Sequence, residues 1–290
     1  MKNLLYISYG VGPHQQELIF SLLSALHWTD PETAGLRFLV LTDRPADFAG
    51  LPVKIELIEP EQWRAWSGPT RFNHRCKILA LQHAMRKYEA PTVLLDADTW
   101  FRKPPQKLFD RVAPGTSILH IREAQISEID SPQGRSVADF VSHNRFPISA
   151  EHDLSIPIET NLWNAGVVGL DPADAGLLDE VLHLTDRFCE RSKLHILEQL
   201  AFSYVLAQRT QLGESYDIVF HYWPPYLHEP FRQKLPEIMQ QSAALPLKQR
   251  IAWCYARRPR PTLPRRGKVI LKRCLQGLGF LPGRSRSNEW

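Results

Sequence analysis

The stretch Thr92-Val93-Leu94-Leu95-Asp96-Ala97-Asp98 combines residue types and a spacing that point directly to chemistry. Side chains two apart on an extended strand project to the same side. An apolar strand ending in two acids one residue apart therefore presents both carboxylates together at the carboxyl edge of a sheet, where open α/β sheets take their ligands. Two such charges repel each other and invite a hard divalent cation, Mg²⁺ or Mn²⁺. The plainer alternative is that Asp96 and Asp98 only close the turn after the strand.

The acids need a sheet behind them, and the residue pattern predicts one. Leu4–Tyr9 is apolar and runs into Gly10-Val11-Gly12-Pro13, a strand entering a turn. Residues 14–27 set Leu18, Ile19, Leu22, Leu23 and Leu26 on one helical face. Leu36–Leu41 is a second apolar run, closed by Thr42-Asp43-Arg44-Pro45, and Val53–Ile58 alternates at period two. Residues 74–88 space Ile78, Leu81 and Met85 as a helix does, and Pro91 stops them. This β-α-β-β-α-β order predicts an α/β fold with a mixed, mainly parallel sheet flanked by helices. Further on, 123–160 reads as long loops around a site, with a short helix near 136–144. A strand is expected at 162–170, helices at about 172–190 and 195–209, and a short strand at Asp217–Phe220. From Pro224 prolines become frequent, so 224–245 reads as loop and 257–266 as a basic, Pro-rich linker.

Composition limits the function classes. The 290 residues, 43% apolar, suffice for a sizeable core. The formal charge of +4 is lopsided: residues 251–290 hold ten Lys/Arg and one acid, leaving the first 250 at −5. We therefore divide the chain into a body, 1–250, and a basic tail, 251–290. A basic tail without an RNA- or DNA-reading motif does not make a nucleic-acid-binding body. No apolar run is long enough to span a bilayer, and the polar run Gln15-Gln16-Glu17 makes the N-terminus a first strand rather than a signal peptide. Cys76, Cys189, Cys254 and Cys274 are scattered, which suits reduced thiols in a cytoplasmic protein and disfavours a zinc site. Gly10-Val11-Gly12 lacks the third glycine of a dinucleotide fingerprint, Gln15 standing in its place.

Several blocks together resemble glycosyltransferase family 8, nucleotide-sugar transferases of the GT-A (Rossmann-like) fold. The apolar strand with D-x-D continues as Thr99-Trp100-Phe101-Arg102-Lys103-Pro104. Leu5–Tyr9 resembles the family's first nucleotide-binding strand, and Leu39–Asp43 its second. Lys77 lies in the helix before D-x-D, where the family often has a basic residue near the nucleotide sugar. Leu162-Trp163-Asn164-Ala165-Gly166-Val167 resembles its F-N-A-G-V strand, and Glu198-Gln199 its acidic-Gln pair. The resemblance covers roughly 3–223. It implies a donor site including Tyr6, Ser8, Tyr9, Arg71, Lys77, Asp96, Ala97 and Asp98, with a nucleoside-diphosphate sugar, UDP-linked, as donor. It also implies a late His completing the metal set, here His221, with His228 as competitor. The family commonly follows that His with Gly and then Lys-Pro-Trp, whereas this chain has Pro224-Pro225-Tyr226-Leu227-His228, which puts that phosphate contact in doubt.

The chemistry is consistent with this set. Sugar transfer from a nucleoside diphosphate must stabilise charge that grows on the pyrophosphate. A cation at Asp96 and Asp98 can bridge both phosphates, and Lys77 and Arg71 are cationic candidates for the same leaving group. Asn164-Ala165-Gly166 offers an amide and close backbone approach to a ligand, or simply a β-bulge. Trp163, Tyr222 and Trp223 are candidates for an aromatic platform under a pyranose. The resemblance implies retention, for which Glu198 is the candidate nucleophile; Gln199 can instead stabilise an oxocarbenium-like front-face process, and an inverting mechanism stays open. Two other readings compete. A D-x-D phosphohydrolase would want Thr or Val where Trp100 stands and a Gly-Asp pair that this chain lacks. A non-catalytic nucleotide-sugar-binding or scaffold protein would keep the fold without turnover.

In the tail, Val269, Ile270, Leu271, Cys274, Leu275 and Leu278 cluster at helical spacing with Lys268, Lys272 and Arg273 beside them. A basic amphipathic helix suits an anionic membrane surface; a solvated end packing on the body is the alternative. With the resemblance, this implies a glycan or lipid-linked acceptor, envelope polysaccharide synthesis, and a place on the inner face of the membrane.

Overall fold

A computed structural model describes residues 1–147 and 153–260. The expected tail helix at 267–280 lies outside the described residues.

The strands are β1 (Lys2–Ser8), β2 (Leu36–Thr42), β3 (Lys54–Leu57), β4 (Thr92–Leu95), β5 (Thr99–Phe101), β6 (Thr116–Gln125), β7 (Phe146–Pro147), β8 (Asp153–Leu154), β9 (Asn161–Leu170), β10 (Gln211–Glu214) and β11 (Val219–His221). The helices are α1 (Pro13–Leu26), α2 (Pro60–Ser67), α3 (Arg75–Tyr88), α4 (Gln106–Phe109), α5 (Pro132–His143), α6 (Leu177–Arg191), α7 (Leu197–Arg209), α8 (Pro225–Ser242) and α9 (Leu247–Ala256). A seven-stranded sheet runs in the order β10-β6-β9-β4-β1-β2-β3. β9 alone opposes the other six, pairing antiparallel with both β4 and β6. This is the mixed, mainly parallel α/β sheet that the residue order predicts.

The strands read as continuous apolar runs because both faces are covered. Leu5 and Leu39 face the layer of α3, α5, α6 and α7, while Leu4, Tyr6, Phe38 and Val40 face α1, α8 and α9. Covering both faces with helices buries large side chains such as Phe20, Phe188 and Phe202 completely.

Three expectations change. The region 123–160 is not loop throughout: β6 runs to Gln125, and α5 begins at Pro132 behind a Ser131 side-chain cap. Residues 224–245 are mostly helix. Pro225 sits at the first turn, where no backbone donor is lost, and Pro230 and Pro236 are carried inside α8 because Phe231, Leu235 and Met239, four apart, bury one face against the core. Finally, α9 crosses residue 250 and packs against α1, with Cys254 buried and Tyr255 stacked on His27 at 3.6 Å.

Candidate metal centre

Asp96 and Asp98 lie on the three-residue link between β4 and β5, and the backbone on either side is fixed. The Asp96 N–H donates to the Gly166 carbonyl on β9 at 2.9 Å. The Thr99 hydroxyl donates to the Asp96 carbonyl at 2.9 Å and meets the Ser21 hydroxyl at 2.7 Å, which in turn meets the Tyr6 hydroxyl at 2.9 Å. The Ser24 hydroxyl accepts the Phe101 N–H at 3.0 Å. Two buried serines of α1 thus hold β5 and, through Thr99, the turn that carries the acids.

β11 brings the third ligand. It pairs antiparallel with β5, placing His221 opposite Thr99, and the Tyr222 N–H donates to the Asp98 carbonyl at 3.0 Å. His221 Nε2 then stands 3.1 Å from Asp98 Oδ1 and 4.0 Å from Asp96 Oδ2. One ligand atom from each of the three residues lies within 4.8 Å of the other two.

The imidazole is oriented from behind. Asn164 Oδ1 accepts the Gly166 N–H at 3.0 Å and stands 2.8 Å from His221 Nδ1. An amide oxygen has no proton to give, so Nδ1 carries the proton and Nε2 points its lone pair at the carboxylates. That arrangement is stable with a proton on Nε2 or with a cation between the groups, and a metal-bound histidine is normally oriented by such a partner. Two carboxylates with an imidazole suit Mn²⁺ well, since an imidazole ligand is less natural for Mg²⁺. Burial alone would lower the His221 pKa, but Asp98, and behind it Asp96, raise it above its ordinary value. Burial would likewise raise Asp98, yet His221 pulls it down to about 2. His120 packs edge-on to His221 at 5.4 Å and stays neutral, its pKa pushed to about 3 by burial and then by His221.

A second set of groups adjoins the first. Lys77 Nζ lies 2.8 Å from Asp96 and 3.4 Å from Glu198, which is buried. Burial opposes the ammonium, but the Asp96 and Glu198 carboxylates outweigh it and keep it charged. Glu123 was not expected from the sequence. Its carboxylate accepts from Asn164 Nδ2 and Gln199 Nε2, each at 3.2 Å. Burial pushes its pKa up, and those two amide donors pull it back. Glu123 sits at a register shift between β6 and β9, where Arg122 and Ala124 face the consecutive residues Trp163 and Leu162, so one residue of β6 is left unpaired. Such a bulge re-aims a side chain. The sequence signal for it is faint: an acid two residues after Ile118-Leu119-His120-Ile121, at the start of a stretch that reads as loop.

The other expected residues fare unevenly. Tyr6 is fully buried with its hydroxyl on Ser21, so its side chain supports the turn. Ser8 is buried too, whereas Tyr9 is half-buried and stacks flat on Trp63, ring centroids 4.4 Å apart. Ala97 is partly exposed between the two acids. Arg71 is exposed on the loop before α3, with φ of 56°, outside the Lys77–Asp96–Glu198 set. His228 pairs with Glu17 at 2.8 Å instead of joining the acids. Of the aromatic candidates, Tyr222 is fully buried and so cannot be a platform, while Trp223 is 45% exposed with its ring 6.5 Å from His221.

No family model matches the chain, and no curated protein matches it. Among solved structures the chain is similar to mouse xyloside xylosyltransferase 1 in its apo form, with 16% identity and a TM-score of 0.44 over 74% of this chain and 84% of that one. It is also similar to the apo WbbM bifunctional glycosyltransferase, with 10% identity and a TM-score of 0.46 over 73% of this chain and 38% of that one.

Proposed function

We propose that this chain is a metal-dependent glycosyltransferase of the GT-A type, which moves a sugar from a UDP-linked donor to a glycan, lipid-linked or protein acceptor with retention. The observation that carries the reading is the convergence of Asp96 and Asp98, from the link after β4, with His221, the last residue of β11, with the imidazole tautomer preset by Asn164. A bound cation, Mn²⁺ by the donor set, would supply Lewis-acid stabilisation of the diphosphate leaving group. Lys77, held between Asp96 and Glu198, adds a fixed positive charge beside it. The test is Mn²⁺-dependent hydrolysis of a panel of UDP- and GDP-sugars. Binding without turnover would favour a non-catalytic nucleotide-sugar-binding protein, and release of phosphate from a simple aryl phosphate would favour the hydrolase.

Within this reading Glu123 takes the role first expected of Glu198. Glu198 is tied to Lys77, whereas Glu123 is held by neutral amides, which fix its position without cancelling its charge. Glu123→Gln is expected to lower kcat by roughly 100-fold or more, the scale of a lost catalytic carboxylate. Mn²⁺ affinity and melting temperature should stay near wild type. An unchanged kcat would leave Glu123 a purely structural residue.

For the tail we propose docking on an anionic membrane, at the inner face for a cytoplasmic enzyme of envelope polysaccharide synthesis. Among the described residues no helix is long and apolar enough to cross a membrane. Arg257 lies over Trp253 and Arg258 over Tyr255 and Trp100, so the cut that spares the body falls after residue 260. That truncation is expected to abolish sedimentation with vesicles containing phosphatidylglycerol while sparing sugar-nucleotide hydrolysis. Unchanged sedimentation would refute docking through the tail.

A further inference from the structure

An open groove runs between α2 and α3, away from the metal centre. Lys77, in the first turn of α3, faces Asp96, whereas the groove lies toward the other end of that helix. Leu79, His83 and Arg86 line it from α3, and Gln62 and Trp66, four apart on one face, line it from α2. Arg86 lies about 14 Å beyond Lys77 along the helix axis, at about 1.5 Å of rise per residue. The groove encloses about 360 Å³, within the range of about 300–1,000 Å³ typical of small-ligand clefts.

The charges around the groove are answered within the chain at every point but one. Lys87 donates to the buried Glu56 carboxylate at 2.6 Å, and that carboxylate also accepts from the Tyr88 hydroxyl and stands 3.7 Å from His83. Gln82 donates to Asp179 at 2.8 Å, and the exposed Glu61 pairs with Arg64. Arg86 has no ion pair or hydrogen bond among the described residues. A cation in the last turn of α3 suits the negative end of that helix. That accounts for a charge here, but not for the aromatic and amide groups beside it or for the space between the helices.

The lining itself restricts the occupant. The Trp66 and His83 rings lie 5.8 Å apart, tilted by 56°, and with Leu79 they form an apolar wall. Gln62, Trp66 and Arg86 bring side-chain N–H groups that have no partner among the described residues, and no acidic side chain lines the groove. A matching ligand therefore has an apolar face, several acceptor oxygens and a negative charge. A pyranose offers its C–H face to an indole and its hydroxyls to amides, and a carboxylate on the ring matches a guanidinium fork. Phosphate alone would leave the Trp66 and Leu79 wall unused.

We propose that the α2–α3 groove binds a hexuronic acid residue of an acidic glycan, stacked on Trp66 with its carboxylate on Arg86. On the transferase reading above this glycan is the acceptor, gripped away from its reacting end, which raises the effective concentration of that end at the metal centre. The binding itself does not depend on that reading.

The experiment is calorimetric titration of the full chain, without metal and at physiological salt, with hexasaccharides of galacturonate and of hyaluronan. The variants are R86Q, R86K and W66L, each checked by thermal melt. Wild type is expected to bind at least one of the two hexasaccharides. R86Q should bind it at least tenfold more weakly, R86K should recover part of the loss, and W66L should bind several-fold more weakly. The carboxyl-reduced form of the same hexasaccharide should bind wild type at least tenfold more weakly. Mn²⁺ affinity in R86Q, read by electron paramagnetic resonance, should stay within twofold of wild type. Failure of wild type to bind either hexasaccharide overturns the proposal. So does unchanged binding by folded R86Q, which would place the glycan on the basic tail or elsewhere. Displacement by inorganic phosphate at equal concentration would reduce the groove to a bare anion contact and overturn the sugar. If the glycan binds as expected and no sugar nucleotide is hydrolysed, the groove stands and the transferase reading fails; hydrolysis without glycan binding sinks the groove alone.

Discussion

Asp98→Asn is expected to weaken Mn²⁺ binding by roughly 100-fold or more, since even the partners behind metal ligands are worth 10–100-fold, and to abolish Mn²⁺-dependent hydrolysis of sugar nucleotides. The side chain is nearly isosteric, so the loss would report charge and donor chemistry rather than packing. The variant has a second signature, in pH. In the wild type Asp98 raises the His221 pKa, and His221 must lose its Nε2 proton before that nitrogen can face a cation. Mn²⁺ affinity should therefore fall as pH drops below the raised pKa of His221. In Asp98→Asn that support is gone and only Asp96 still raises the pKa against burial and Lys77, so residual binding should hold to lower pH than in wild type. Stability without metal runs the other way. The raised His221 pKa stabilises the fold fully below about 6.5, its unfolded value, and that contribution is lost as pH rises through the folded pKa. The lowered Asp98 pKa contributes above its unfolded value of about 3.9 and is lost as pH falls toward 2. Metal-free wild type should thus gain most from this pair in the mildly acid range, where metal binds worst. Thermal melts and Mn²⁺ titrations across pH 4–8 would show both trends. A variant that keeps wild-type affinity would exclude Asp98 from the centre.

What could be read from the chain beforehand followed the range of the physics involved. β4 with its two acids, and the strand-helix alternation before it, are written in local periodicity, because a parallel sheet buried on both faces makes each strand a short apolar run. His221 could be singled out only through its place after another such run. Its pairing with Thr99 is a contact across 122 positions that no local pattern encodes. Glu123 was missed for a related reason: its direction comes from a bulge between β6 and β9, a property of the pair of strands and not of either one. Tyr6 shows long-range placement of another kind. The family resemblance of its strand implies a place in the donor site, and strand alternation turns its side chain toward α1, where it braces Ser21 and, through it, Thr99. Local propensity also misread α8, where Pro230 and Pro236 cost less than burial of Phe231, Leu235 and Met239 returns.

Gly166→Ala should be as damaging as the loss of a ligand, although residue 166 binds nothing through a side chain. A Cβ built on Gly166 overlaps the His221 imidazole at Nδ1 and Cε1. Neither side can yield easily. The Gly166 backbone is tied on β9, its N–H to Asn164 and its carbonyl to Asp96, while the ring is held by Asn164 on one nitrogen and faces Asp98 with the other. The methyl must expel the imidazole or push β9 away from β4. Overpacking of this kind costs about 1–3 kcal/mol, and either response pulls the centre apart. The expected result is a lower melting temperature together with loss of Mn²⁺ binding comparable to that of Asp98→Asn. Gly213→Ala on the edge strand β10 is the control, since a Cβ there comes no nearer than 3.8 Å to any neighbour. It should melt and bind Mn²⁺ like wild type. If Gly166→Ala bound Mn²⁺ as wild type does, the imidazole would have room to spare, and the close fit of β9 behind His221 would not be what positions the third ligand.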